Sequence, residues 1–404
     1  MTLPVYGNSI SLNQIATEFG GTGALALENY YAGGSYVGAG TVGYPTGGSS
    51  VAIPSSGVIS LASFYGASYT PPTFTLGSTT GPSSYFFTAP VYGNSTFVAL
   101  SYFGSTYYII YSTNGTTWSS PVTVTATATL NALAASSSYF VAVGNNASNY
   151  GAVSYASAST PSSWTSPAVM GSGGTASQMQ SVCYLSTSQK FLSVGLGSGL
   201  VSAISAANNP AAWSTPSALS STYSYSYSSL ATDGTNAICI TPYTSGATTY
   251  LVYLIYNGGT NSWSGPFSFP SPLTGGIQGV GAIAYGNGTW VVMVQAATGN
   301  NTYITTSTNG TTWTTPVLNT TFSASYLTFG NGLFLMQGGT HTGNTPCTSW
   351  SNDNGVTWTT PVTYSGPSLM TGAAYGTIST TNYYVMFARS GNSPSFYTYP
   401  YHAP

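Results

Sequence analysis

Only six of the 404 side chains carry a formal charge: Glu18, Glu28, Lys190, Asp233, Asp353 and Arg389. His341, His402, Cys183, Cys239 and Cys347 complete the supply of imidazole and thiol groups. Hydrolysis by paired carboxylates needs two acids roughly 5–10 Å apart. Asp233 and Asp353 each sit in a turn sequence, "TDGT" and "NDNG", where Asp commonly accepts backbone N–H bonds. Nucleophilic catalysis needs a histidine as base. His341 lies in "GGTHTGN" and His402 in "YPYHAP", and neither has a GxSxG nearby. The cysteines are scattered, without a CxxC or a neighbouring His, so they read as buried thiols. The same shortage argues against a metal site. The chain is therefore expected to be no enzyme and to hold no cofactor.

Composition bounds the partners. Charged residues make up 1% of the chain, against about 25% in an ordinary globular protein. A net charge of −2 gives little colloidal repulsion and favours association, so copies of itself are the expected partner. Phosphate binding needs Lys or Arg, and two in all argue against nucleic acid. No run approaches 18 apolar residues, so no membrane insertion is expected. A hydrophobic fraction of 42% argues against a disordered chain. The start, "MTLPVYGNSI", has no recognisable signal peptide. An extracellular or virion-surface location would then follow lysis, an unusual export route, or loss of a leader.

The elements that position these residues repeat. W-[ST]-x-P occurs six times: Trp118 with Pro121, Trp164 with Pro167, Trp213 with Pro216, Trp263 with Pro266, Trp313 with Pro316, and Trp358 with Pro361. Successive tryptophans lie 46, 49, 50, 50 and 45 residues apart, the length of one four-stranded propeller blade. A hairpin and an apolar strand precede each tryptophan, as in "YGNSTFVAL" from Tyr92 and "YGNGTWVVMV" from Tyr285. Seven such hairpins predict an all-β, seven-bladed β-propeller over residues 69–404, with six or eight as alternatives. A strand near "PPTFTLG", residues 71–77, is expected to complete the last blade. Asn114–Gly115, Asn309–Gly310 and Asn354–Gly355 are expected to form type I′ turns. Each tryptophan is expected to begin a strand and wedge between blades, and each proline to end or edge that strand.

"SNDNGVTW" carries Ser351, Asp353, Gly355 and Trp358 in the pattern S-x-D-x-G-x-x-W. It resembles the Asp-box of sialidase-like propellers, where the motif stabilises an outer hairpin away from the active site. The periodicity covers about 330 residues, but only this copy keeps the acid. Sialidase chemistry, as that superfamily implies, needs an arginine cluster, and Arg389 is the only arginine here.

Residues 1–68 follow other rules. Ser11 and Gln14 form a capping box before Leu12, Ile15 and Phe19 at helical spacing. "LALENYYAGG" and "VISLASFYGAS" loosely repeat "SISLNQIATEFGG", and "GAGTVGYPTGGSS" between them reads as a mobile linker. The segment resembles the N-terminal part of bacteriophage tail and virion-appendage proteins, which implies an assembly arm. Its candidate contacts are Ile10, Leu12, Ile15, Phe19, Leu27, Tyr30, Tyr31, Ile59, Leu61 and Phe64.

The expected function is a self-assembling structural subunit of an extracellular fibre or virion appendage, linked head-to-tail through the arm. The alternative is an adhesin reading host-surface glycans through the propeller face, since Tyr, Ser and Asn suit polar contacts. Sequons at Asn94, Asn114, Asn146, Asn287, Asn300, Asn309 and Asn319 are candidate glycosylation sites.

Overall fold

Alternating and apolar strands joined by short turns build this chain almost entirely from antiparallel sheet. The computed structural model describes residues 11–19, 30, 42–43, 51–53, 86–87, 90–125, 127–171, 177–220, 224–225, 228–246, 248–273, 277–296, 301–341, 343, 345–365, 369–378, 381–390 and 393–401.

Each blade runs outwards from the centre. In the fifth, Ile277–Gly286 is innermost, followed by Thr289–Ala296, Thr302–Ser307 and the short outermost Val317–Asn319. The first blade starts at Phe86–Phe87 and Val91–Gly93, the second at Ala128–Ala135, the third at Gln178–Leu185, the fourth at Ser224–Tyr225 and Ser229–Thr232, and the sixth at Phe322–Gly330. These are six sheets of four or five strands, so the expectation of seven complete blades is corrected to six. A further sheet, Leu369–Ile378, Thr381–Ser390 and Ser393–Tyr401, has three strands among the described residues. The expected completing strand at 71–77 lies outside them.

Packing runs round the molecule from sheet to sheet. Val98, Leu100 and Ile109 of the first blade bury against Leu130, Leu133 and Phe140 of the second, and the pattern continues through the sixth. The C-terminal sheet then bridges two neighbours. Met370, Tyr384 and Met386 pack on Leu333 and Leu335 of the sixth blade. Ala374, Val385 and Phe387 pack on Phe97, Ala99 and Ile110 of the first.

A second repeat seals one face of the molecule. Dipeptides Tyr92–Gly93 and Phe329–Gly330 end innermost strands and Tyr375–Gly376 lies two residues before the end of one, and each aromatic ring lies on a glycine of the preceding sheet. A Cβ at Gly286 would sit 2.1 Å from Phe329, one at Gly330 2.1 Å from Tyr375, and one at Gly376 2.2 Å from Tyr92. Backbone and ring share a space that only a hydrogen can occupy.

The left-handed turn pairs fall elsewhere than expected. Asn94–Ser95, Asn287–Gly288 and Asn331–Gly332 carry both positive φ values, in the two-residue turns joining first and second strands. At Asn114–Gly115 and Asn309–Gly310 only the glycine is left-handed, at φ 73° in both. There the chain crosses from a third strand to an outermost one, and side chains make the turn. Only Asn354–Gly355, with φ 61° and 85°, has the pair.

In the N-terminal region, the helix Leu12–Phe19 starts at a reciprocal cap: Ser11 N donates to Gln14 Oε1 at 2.8 Å, and Gln14 N to Ser11 Oγ at 3.3 Å. Ile15, Tyr30 and Ile53 are buried and Leu12 is half-buried. Val42–Gly43, within the glycine-rich stretch read as a linker, pairs antiparallel with Val51–Ala52 just beyond it. Nothing is described of the Phe19 side chain, and Ile10, Leu27, Tyr31, Ile59, Leu61 and Phe64 lie outside the described residues.

Candidate functional site

The tryptophan motif explains itself once its bonds are traced. In "STNGTTW", Ser112 Oγ accepts from Gly115 N at 2.8 Å, while Asn114 Oδ1 accepts from Thr116 N and Thr117 N at 3.0 and 2.8 Å. Ser307, Asn309 and Gly310 repeat this with bonds of 2.8, 2.9 and 2.8 Å. In "SNDNGVTW" Asp353 takes the asparagine's place. Its Oδ1 accepts from Ser351 Oγ at 2.7 Å and from Thr357 N at 2.9 Å. The asparagine copies thus keep the accepting oxygen that the acid supplies. Asp233 likewise accepts from Thr235 N and Asn236 N at 2.8 and 2.6 Å. Both carboxylates hold turns.

Each tryptophan packs back onto the preceding sheet. Trp118 meets Phe387 edge-on at 4.9 Å, and Trp313 meets Phe269 at 4.9 Å. Trp118, Trp213 and Trp313 are buried, whereas Trp164, Trp263 and Trp358 are half-buried. Two expectations are corrected. Trp118, Trp313 and Trp358 precede no strand directly, and Pro121, Pro316 and Pro361 stand just before outermost strands instead of ending one. Lacking an N–H, proline suits the entry to an edge strand. The Ser or Thr after the tryptophan has a role that was not foreseen. Thr314 N donates to Thr306 O at 2.9 Å while its Oγ1 accepts from Thr306 N at 3.0 Å. Ser119, Thr165, Ser214 and Thr359 do the same. One side chain extends the ladder by a rung.

The opposite face has a different chemistry. Innermost strands begin there, and five of them slip register near their first residues: at Leu130/Ala132, Met179/Ser181, Ile277/Gly281, Ala324/Tyr326 and Met370/Gly372. Bulges of this kind re-aim side chains and are common beside functional sites. Here they fall at Asn131, Gln180, Ser325 and Thr371. Asn131 Nδ2 donates to Met179 O at 2.8 Å, and Ser228 Oγ to Gln180 Oε1 at 3.2 Å. Beside them opens a cavity of about 640 Å³, lined by Ser228, Ser229, Pro242, Leu251, Ser325 and Tyr326 among others.

Hairpins between second and third strands reach the same face and carry aromatic pairs. Tyr102 and Tyr107 lie 5.7 Å apart beside Phe103, which is 54% exposed. Tyr243 and Tyr250 stack at 5.1 Å and 16°. Burial raises the Tyr107 phenol above its ordinary pKa, partly offset by a hydrogen bond with Thr129 and reinforced by Tyr102. His341 follows the second strand of the sixth blade here. On the other face Lys190 begins the second strand of the third blade, and Asp233 and Asp353 sit in turns. The Arg389 backbone pairs with Leu369 and Pro394.

The thiols stay out of this chemistry. Cys183, Cys239 and Cys347 are buried and free. Burial pushes the first two well above the usual thiol range and Cys347 up to about 12. Among the described residues no group of three or more His, Cys, Asp or Glu could hold a metal.

No protein-family model matches the chain, and no curated protein matches it. Solved structures do. The propeller domain of the trilobed protease from Pyrococcus furiosus, described as having an open velcro topology, superposes with a TM-score of 0.51. It is 8% identical and covers 79% of this chain and 97% of its own. The endosialidase of phage phi92 gives 0.47 at 11% identity, over 81% and 69% of the two chains. A polysaccharide lyase described as an ulvan lyase gives 0.49 at 12% identity, over 81% and 94%. The shared feature is the β-propeller fold. The expectation that this chain is not an enzyme is corrected here: the propeller that superposes with a TM-score of 0.51 is a domain of a protease, so scarcity of charge on this fold is no ground for excluding catalysis.

The sequons are placed variously. Asn94 Nδ2 donates to Ala158 O at 3.2 Å, tying the first blade to the second. The side chains of Asn114, Asn146, Asn309 and Asn319 accept backbone bonds within their own turns. Asn287 is exposed at a turn apex, and Asn300 lies outside the described residues.

Proposed function

We propose that this chain is a glycan-binding propeller, the receptor-recognising part of an extracellular or virion-surface appendage, which its N-terminal segment anchors. The observation that carries the reading is the bulged face. Its described side chains carry no formal charge: hydroxyls, amides and paired aromatics lie on the same face as a cavity of about 640 Å³ whose lining is largely aliphatic, with Ser228, Ser229, Ser325 and Tyr326 as its polar side chains. Sugar rings present C–H faces that stack on aromatic rings, and hydroxyls that pair with neutral donors and acceptors. Among the described side chains of this face none is Lys or Arg, which favours neutral sugars over anionic ones. The C-terminal sheet counts in this reading as a seventh, three-stranded blade, since it fills the space between the sixth and the first. Neutral and sialylated glycan arrays probed with the full chain test the proposal. Neutral oligosaccharides should bind, and Phe103→Ala or Tyr243→Ala should weaken them about tenfold. Binding confined to sialylated glycans, or indifferent to both changes, would sink it.

A second reading, a self-assembling structural subunit, is favoured by the near-zero charge. Deleting residues 1–68 should then abolish any filament seen by electron microscopy.

A further inference from the structure

Most of the described large apolar residues that solvent reaches lie at the rim: Val169, Phe267, Val317, Leu318 and Val362 are on outermost strands and Val356 is in the turn beside one of them, while Phe103 and Tyr150 lie elsewhere. Exposure peaks where the fifth blade meets the sixth, with Val317 at 66% and Val356 at 67%. A groove of about 370 Å³ opens at this point, floored by Ile304, Leu318 and Trp358 and edged by Thr315 and Asn319. Val317–Asn319 pairs with Thr302–Ser307 on one side and has no strand on the other among the described residues.

Natural sheets blunt such an edge with lysine or another inward charge. Here none of the residues between Asp233 and Asp353 is Asp, Glu, Lys or Arg. An unguarded, apolar edge strand beside a groove is a template for strand addition, in which main-chain bonds give affinity and the groove accepts side chains.

We propose that a second copy of this chain docks here, edge strand against edge strand. Charge selects the occupant. Ordinary protein surfaces are about a quarter charged, and seating one on a rim with no counter-charge would strand ions without partners. This chain, at 1% charged, is itself the matching surface. Antiparallel pairing centred on Leu318 sets each Val317 opposite the other copy's Asn319 and buries both grooves. The contact is isologous and closes at two copies. It uses the rim, so it is independent of both the glycan face and the N-terminal arm.

Sedimentation velocity on the full chain over a concentration series tests this, with Val317→Lys and Leu318→Lys as rim variants and Phe103→Lys as a control on the bulged face. The wild type and the control should dimerise with rising concentration. Each rim lysine should weaken that dimer by about thirty-fold or more while leaving the thermal transition in place. A wild type that stays monomeric throughout overturns the proposal. So does association that both rim variants retain unchanged. A neutral oligosaccharide that alters Trp358 fluorescence, without any dimer, would assign the groove to a sugar instead.

Discussion

At Asp353 the carboxylate does the work that an amide oxygen does at Asn114 and Asn309, accepting the N–H groups of the turn. The charge itself is dispensable to that role. Asp353→Asn should therefore cost less than about 1 kcal/mol in urea unfolding, whereas Asp353→Ala orphans the Thr357 N–H and should cost about 1–2 kcal/mol. Ser307→Ala removes the acceptor of the buried Gly310 N–H and should cost about 1–3 kcal/mol. The turn role of Asp233 and Asp353 could be read from "TDGT" and "NDNG", because local side-chain bonding is written in adjacent letters. The bulged face was not legible in this way. Asn131, Gln180, Ser325 and Thr371 share a position only because their four innermost strands slip register, and no short string marks a slip.

Between elements, the tryptophans and the aromatic-on-glycine contacts divide the task of joining sheets. Trp313 is buried against Phe269 and Tyr253 of the fourth blade. Trp313→Ala should destabilise by about 3–5 kcal/mol, and the half-buried Trp263 by less, in the same urea experiment. Gly376→Ala drives a Cβ to within 2.2 Å of the Tyr92 ring. It should destabilise by about 1–3 kcal/mol, and pairing it with Tyr92→Ala should cost less than the two separate losses combined. The period of W-[ST]-x-P revealed the sheets because every blade must place an anchor at one distance from the centre. It misplaced the left-handed pairs. Asparagine–glycine has the same letters in a hairpin and in a strand-to-strand crossing, and tertiary context decides between them.

Across the whole molecule, titration acts through buried neutral groups. The thiols of Cys183, Cys239 and Cys347 and the phenols of Tyr107, Tyr253, Tyr256 and Tyr375 are all raised, chiefly by burial. A raised acid holds its proton in the folded state while the unfolded chain releases it. This stabilisation is complete below the unfolded value and fades as pH climbs towards the folded one. Thermal melts should therefore be flat up to about pH 8 and fall through the thiol and phenol ranges, near ~8.5 and ~10. A midpoint that rises with alkali would contradict this assignment. The bulged face, whose described side chains carry no formal charge, has a further consequence. Dissolved ions find no charge to shield among those side chains, so a ligand held by them should bind as tightly in brine as in fresh water.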